Sequence, residues 1–130
     1  MNIGLGSKRR TILLIDGDAH ARAVLRNALE AANFSVGEAA NDHEGERTAL
    51  RVRPDAILAD LMLGSSEPDG SIAERLKRQG IRIPVYIVST AADALIGSVG
   101  LDELGIAGVF LKPVDPAIVI QTMRIRLGTV

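Results

Sequence analysis

The sequence predicts an α/β fold: one five-stranded parallel sheet with helices on both faces. Three observations predict it. Short apolar runs alternate five times with longer amphipathic stretches, the pattern of βα units joined by right-handed crossovers. Two of the runs, Ile12-Leu13-Leu14-Ile15 and Ala56-Ile57-Leu58-Ala59, are apolar on both faces, as central parallel strands are. Charged residues stand directly after three of the runs: Asp16, Asp60 and Lys112. Those positions form the carboxyl edge of a parallel sheet, where open α/β folds place their ligands.

Thr11 to Ile15 reads as the first strand. Ala19 to Ala32 follows as a helix, with Ala21, Val24, Leu25, Ala28, Leu29 and Ala32 at helical spacing and Asp18 as its N-cap. Phe34 to Ala39 is the second strand. Asn41, with Glu44 three residues on, opens the second helix, which ends at Arg53-Pro54. Ala56 to Ala59 is the third strand, and Gly64 to Gly70 is a loop by composition. Ser71-Ile72-Ala73-Glu74 is a capping box for the third helix, which Gly80 stops. Ile83 to Val88 is the fourth strand, with Pro84 near its start. Ala91 to Leu104 is a weaker helical stretch, interrupted by Gly97 and Gly100. Val109 to Leu111 is the fifth strand. Asp115 and Pro116 supply the N-cap and first residue of a last helix, Pro116 to Leu127.

The 130 residues suit one domain, expected over 11–128 after a lead-in at 1–10. Hydrophobic residues at 47% are enough for a sizeable core. A formal charge of −1, from 15 basic and 16 acidic residues, gives no general attraction to nucleic acid or membrane. Lys8-Arg9-Arg10 reads as a solvated lead-in, and 2% aromatics argue against base-stacking platforms. The absence of cysteine removes disulfides, thiolate metal sites and cysteine nucleophiles. With neither a membrane-length apolar run nor a signal-peptide core, a cytoplasmic location is the default expectation.

Asp16, Asp60, Ser89 and Lys112, with Asp18 nearby, share the predicted carboxyl edge. Oxygen-only ligands favour magnesium over zinc or copper. A carboxylate can be the nucleophile of phosphoryl transfer, with a lysine and a metal offsetting charge and a hydroxyl binding an oxygen. His20 and His43 fall on helix surfaces without ligand partners. Gly4-Leu5-Gly6-Ser7 precedes the first strand, so it is not a nucleotide-binding loop. A reading without phosphoryl chemistry also exists, in which Lys112 only neutralises the two acids.

Four segments in order resemble a response-regulator receiver domain, the aspartate-phosphorylated module of two-component signalling. They are Ile12 to Asp18, Arg53 to Leu63, Pro84 to Ser89, and Phe110 to Val114. The resemblance spans Thr11 to Leu127 and implies a flavodoxin-like, doubly wound (βα)5 fold. It implies Asp60 as phosphoacceptor, with Lys112 pairing with the phosphoryl charge and Ser89 bonding one of its oxygens. Asp16, Asp60 and the Met62 backbone carbonyl would hold Mg2+. The Lys112-Pro113 bond would be cis. A sensor histidine kinase or phosphotransfer protein would donate the phosphoryl group. A homodimer could form through the last helix and strand, where Ile118, Met123 and Arg126 lie. Direct nucleic-acid or membrane contact is not expected.

The chain departs from the family at Gly17, where a second acid normally supplies a direct metal ligand. That leaves magnesium affinity as the open point. Asp18 is read first as a helix N-cap and second as a substitute ligand, should Gly17 let the loop bend. Val109 stands where the family has its aromatic switch residue, and Phe110 should face the opposite way. Two alternatives remain at this level. One is a degenerate receiver that binds a protein partner without phosphorylation. The other is a haloacid-dehalogenase-like phosphatase using Asp16 of Asp16-Gly17-Asp18, which leaves the Asp60 run unexplained. With no output domain after Val130, the sequence reads as a stand-alone receiver or part of a longer regulator.

Overall fold

The computed structural model describes residues 9–60, 72–90 and 106–128. The elements, in order, are β1 (Thr11–Ile15), α1 (Ala19–Ala31), β2 (Ser35–Ala39), α2 (Asp42–Val52), β3 (Ala56–Asp60), α3 (Ile72–Arg78), β4 (Val85–Ser89), β5 (Ile106–Leu111) and α4 (Pro116–Leu127). All strand pairs are parallel, and the sheet order is β2-β1-β3-β4-β5. The strand order turns back on itself between β1 and β3, which opens a crevice beyond their carboxyl ends. Asp16 and Asp60 stand at that crevice.

Strand alternation sends the core to both faces of the sheet. Ile12, Leu14 and Leu58 pack with Leu29 of α1 and with Val119 and Met123 of α4. Leu13, Ile15 and Ile57 pack with Ala49 of α2 and with Ile72 and Leu76 of α3. The doubly covered sheet expected from two-faced apolar strands is therefore observed. Among the described residues no helix is long and apolar enough to cross a membrane.

Local signals set the helix ends. Asp18, Asn41 and Asp115 each cap a helix by accepting backbone N–H bonds, as expected from their positions. Arg53 ends α2 in the left-handed region at φ 54°, just before Pro54. Gly80, at φ +74°, follows α3 and serves as its stop. The expected loop 64–70, the N-cap Ser71 and the helix Ala91 to Leu104 lie outside the described residues.

Two strand starts differ from expectation by two residues or more, and the start of β2 and the ends of β3 and β4 by one. β4 begins at Val85 rather than Ile83, because Pro84 has no N–H to donate to the ladder. Its carbonyl still accepts from Ile57 N at 2.9 Å. β5 begins at Ile106, three residues earlier than expected. The expected strand left out Ala107 and Gly108, and a Cβ at Gly108 would lie 3.1 Å from the Tyr86 ring. The glycine thus allows close packing beside the register shift at Val85/Tyr86. Phe110 joins Tyr86 at a centroid distance of 5.5 Å, while Val109 packs on the opposite face.

Gly45 is the tightest point of the α2 contact. A Cβ there would overlap Ile15 Cδ1, with Ile15 Cγ1 at 2.9 Å and Ile72 Cδ1 at 3.2 Å. Helix propensity alone favours Gly45→Ala by about 1 kcal/mol. Overpacking opposes it with a cost of about 1–3 kcal/mol. We expect Gly45→Ala to lower the urea midpoint with an unchanged m-value.

Candidate functional site

Asp60 ends β3, and its carboxylate is only 9% exposed. A carboxylate that far from water needs a partner. Lys112 supplies it, with Nζ 2.5 Å from Asp60 Oδ1. The lysine is placed by the sheet: its N–H donates to the Ser89 carbonyl at 2.8 Å, extending the β4–β5 ladder one residue past β5. The following Lys112-Pro113 bond is cis, as the family resemblance implies. Asp16, Asp18, Asp60 and Lys112 together line one cleft of about 350 Å³. Leu14, Leu58 and Val88 line it too, so the charged groups sit against apolar walls.

Asp16 and Asp18 use their carboxylates differently. The Asp16 N–H donates to Ala39 O at 3.0 Å, and Asp16 Oδ1 accepts from Asp18 N at 2.8 Å. Burial pushes the Asp16 carboxyl above its ordinary value. The Asp18 N–H opposes that shift, and the Asp60 charge adds to it. Asp18 is turned to its helix, with Oδ1 accepting from His20 N at 2.9 Å and Ala21 N at 3.2 Å. Those bonds, Ala21 first, hold its carboxyl below the usual range. Ser89 is 1% exposed at the end of β4, and its hydroxyl donates to Thr90 O at 3.1 Å.

A second set of charges fixes the loop that carries Asp16. Arg22, one turn into α1, donates from a terminal nitrogen to the Asp16 carbonyl at 2.5 Å. Its Nε donates to Glu38 Oε1 at 2.8 Å, and Arg26 pairs with the other oxygen of Glu38. Arg22 also lines the cleft. Motif and periodicity give no role to Arg22 or Glu38. The available signal is an acid next to last in a strand that otherwise reads apolar or small, which requires a cationic neighbour.

A magnesium ion takes oxygen ligands, keeps several waters and needs only one or two carboxylates. Asp16 and Asp60 fit that demand, since the Asp60 charge already raises the cost of ionising Asp16. Among the described residues no group of three or more His, Cys, Asp or Glu is placed to hold a metal. Met62 lies outside the described residues, and Asp18 Oδ1 is committed to its helix. Gly17 has an ordinary backbone, and among the described residues a Cβ there would meet only Ala40 O, at 3.5 Å.

The family model described as "Response regulator receiver domain" matches residues 12–124. The phosphate regulon transcriptional regulatory protein PhoB of Pseudomonas aeruginosa is 30% identical over 117 residues, covering 88% of this chain and 50% of the relative. The transcriptional regulatory protein ResD of Bacillus subtilis is 32% identical over 116 residues, covering 89% and 47%. The chain thus spans about half the length of these curated relatives. Among solved structures, a putative response regulator from Chloroflexus aurantiacus superposes with a TM-score of 0.79 at 22% identity, covering 93% of this chain and 99% of that one. The chemotaxis response regulator CheY4 of Vibrio cholerae gives 0.75 at 20% identity, covering 90% and 98%. At these identities the superpositions establish the fold.

The Arg22–Glu38–Arg26 cluster has a pH signature. Arg22 first, opposed by burial and aided by Arg26, holds the Glu38 carboxyl below its ordinary 4.5. A depressed folded-state pKa gives stability that is present above pH 4.5 and lost as pH falls through the folded value. Glu38→Gln should cost about 1 kcal/mol near neutral pH, the upper range for partly exposed pairs. The deficit should close as acid protonates the wild-type carboxyl, as read by thermal melts across pH.

Proposed function

Because this chain belongs to the response regulator receiver domain family, we propose that Asp60 accepts a phosphoryl group from a sensor histidine kinase or phosphotransfer protein. The receiver unit is taken to be residues 11–128. The observation that carries the proposal is Asp60 itself: a nearly buried carboxylate at the switch point of the sheet, held by a lysine from the neighbouring β5 end.

The residues divide the chemistry between them. A carboxylate oxygen of Asp60 attacks phosphorus, and the phosphohistidine nitrogen leaves with the bonding pair. Lys112 offsets the charge of the resulting acyl phosphate, remaining at the side of the group it already contacts. Ser89 gives up its bond to Thr90 O and donates to a phosphoryl oxygen, which couples modification to movement at the end of β4. Arg22, pinned by Glu38, holds the Asp16 backbone so that its carboxylate faces the cleft. Asp16, Asp60 and the Met62 carbonyl would hold Mg2+, which when bound supplies charge neutralisation for the transferred group.

The departures bear on efficiency. Gly17 removes one carboxylate from the metal set. Val109, facing away from Phe110 and Tyr86, offers no aromatic ring to follow a serine shift. The relay to the surface therefore rests on β4 and the Lys112 segment. The DNA-binding activity that the names of some relatives record, such as MtrA, belongs to those longer chains.

Acetyl phosphate with magnesium should label the wild-type chain, and Asp60→Asn should abolish the labelling. Labelling that persists in that variant contradicts the assignment. A Cβ at Gly17 meets the described residues at ordinary contact distance, and Gly17→Asp adds the missing acid, so its magnesium dissociation constant should fall about tenfold, roughly one charge-assisted contact of 1.4 kcal/mol. Isothermal titration of both proteins reads the difference.

A further inference from the structure

The edge of the sheet opposite Asp60 carries a basic, apolar-floored cleft that the phosphoryl chemistry does not use. Lys77 lies in the last turn of α3, Arg82 in the connection to β4, and Arg126 in the last turn of α4; all three are exposed. They converge on one groove of about 580 Å³. Leu76, Ile81, Ile83 and Pro84 line it between the cations, and among the described residues no acid does.

Helix polarity accounts for part of this charge. Lys77 and Arg126 sit in last turns, where cations complement the helix dipole. It does not account for Arg82, which lies outside any helix. Nor does it account for the apolar surface left between the three cations. Arg51 and Arg53 at the end of α2, and Arg9 and Arg10 ahead of β1, lie exposed at the same edge of the sheet. Arg10 pairs there with Asp55 at 3.5 Å, so among the described residues the amino ends of the strands carry more cations than acids, while Asp16, Asp18, Asp60 and Asp115 stand with Lys112 at the carboxyl ends.

We propose that this groove docks an acidic segment of a protein partner, one whose carboxylates flank an apolar side chain. Carboxylates would pair with Lys77, Arg82 and Arg126, and the apolar side chain would cover Ile81, Ile83 and Pro84. The mixed lining favours a peptide over a nucleic acid. Phosphates have no use for an aliphatic floor, and among the described residues no aromatic ring lines the groove for base stacking. β4 separates the groove from Ser89 by the length of a five-residue strand, about 16 Å. A partner there leaves the Asp60 cleft open, so docking is independent of phosphorylation and does not rest on the proposed reaction.

The test uses the full chain and a fluorescein-labelled decapeptide of alternating Glu and Leu, read by anisotropy. A Gln-Leu decapeptide and a single-stranded DNA decamer serve as competitors for class. The proposal expects saturable binding of the Glu-Leu peptide, weakened as salt rises from about 0.1 M to about 1 M. It expects about tenfold weaker binding by the triple variant Lys77→Glu, Arg82→Glu, Arg126→Glu, whose thermal melt shows that it is folded. If the triple variant does not fold, the single variant Arg82→Glu replaces it, with weaker peptide binding again expected. Beryllofluoride should leave wild-type peptide affinity unchanged. Absence of saturable binding, equal affinity in the folded variant, equal binding of the Gln-Leu peptide, tighter binding of the DNA, or an affinity that depends on beryllofluoride would each overturn it.

Discussion

The contact between Lys112 Nζ and Asp60 Oδ1 is the constraint on which the carboxyl edge depends. Asp60 ends a strand whose four preceding residues are all buried, so its carboxylate has little water to turn to. Lys112 reaches it because β5 pairs with β4 in register through Leu111, and the next backbone N–H stays tied to Ser89. The sheet itself therefore sets the distance between the two charges. A lysine on a longer or looser connection would lose side-chain and loop entropy on making the same contact.

Around that pair the acids are sorted by what their oxygens already hold. Asp18 is used up by α1, and its lowered pKa has the cause that makes it a good cap. Asp16 is left facing the cleft with a raised pKa, which marks it as a carboxylate that a cation would stabilise. Arg22 does not meet that need. It binds the Asp16 carbonyl and is itself pinned by Glu38. One basic group thus positions the acidic loop without filling the cleft, and the other sits on Asp60. By the family resemblance one acid is missing here, and the cluster on α1 and β2 holds the loop in place.

Much of this was legible in the residues. Apolar runs ending in Asp16, Asp60 and Lys112 marked three of the strands and the edge where they meet. Side-chain caps at Asp18, Asn41 and Asp115 gave the helix starts, because a short acceptor before an amphipathic run has one favourable use. What was not legible depended on contacts between elements. The first half of β5 was not legible because a glycine weakens a strand signal, and its fit against Tyr86 is a contact between elements. Arg22 and Glu38 are separated by 16 positions and follow no motif. Ser89 shows its hydroxyl bonded to Thr90, a resting partner that no spacing rule gives. The amino-edge groove combines cations from α3, from the α3–β4 connection and from α4, and only the folded sheet brings them together.

The central claim is that Asp60, among the acids of the cleft, is the nucleophile. Borohydride reduces an acyl phosphate to the alcohol, so a phosphorylated aspartate becomes homoserine. Treating the chain with acetyl phosphate and magnesium, reducing it, and mapping the peptides by mass spectrometry reads the site directly. The account predicts homoserine at Asp60 alone. Homoserine at Asp16, as a phosphatase-like nucleophile would give, or its absence at Asp60 under saturating phosphodonor and magnesium, would contradict it.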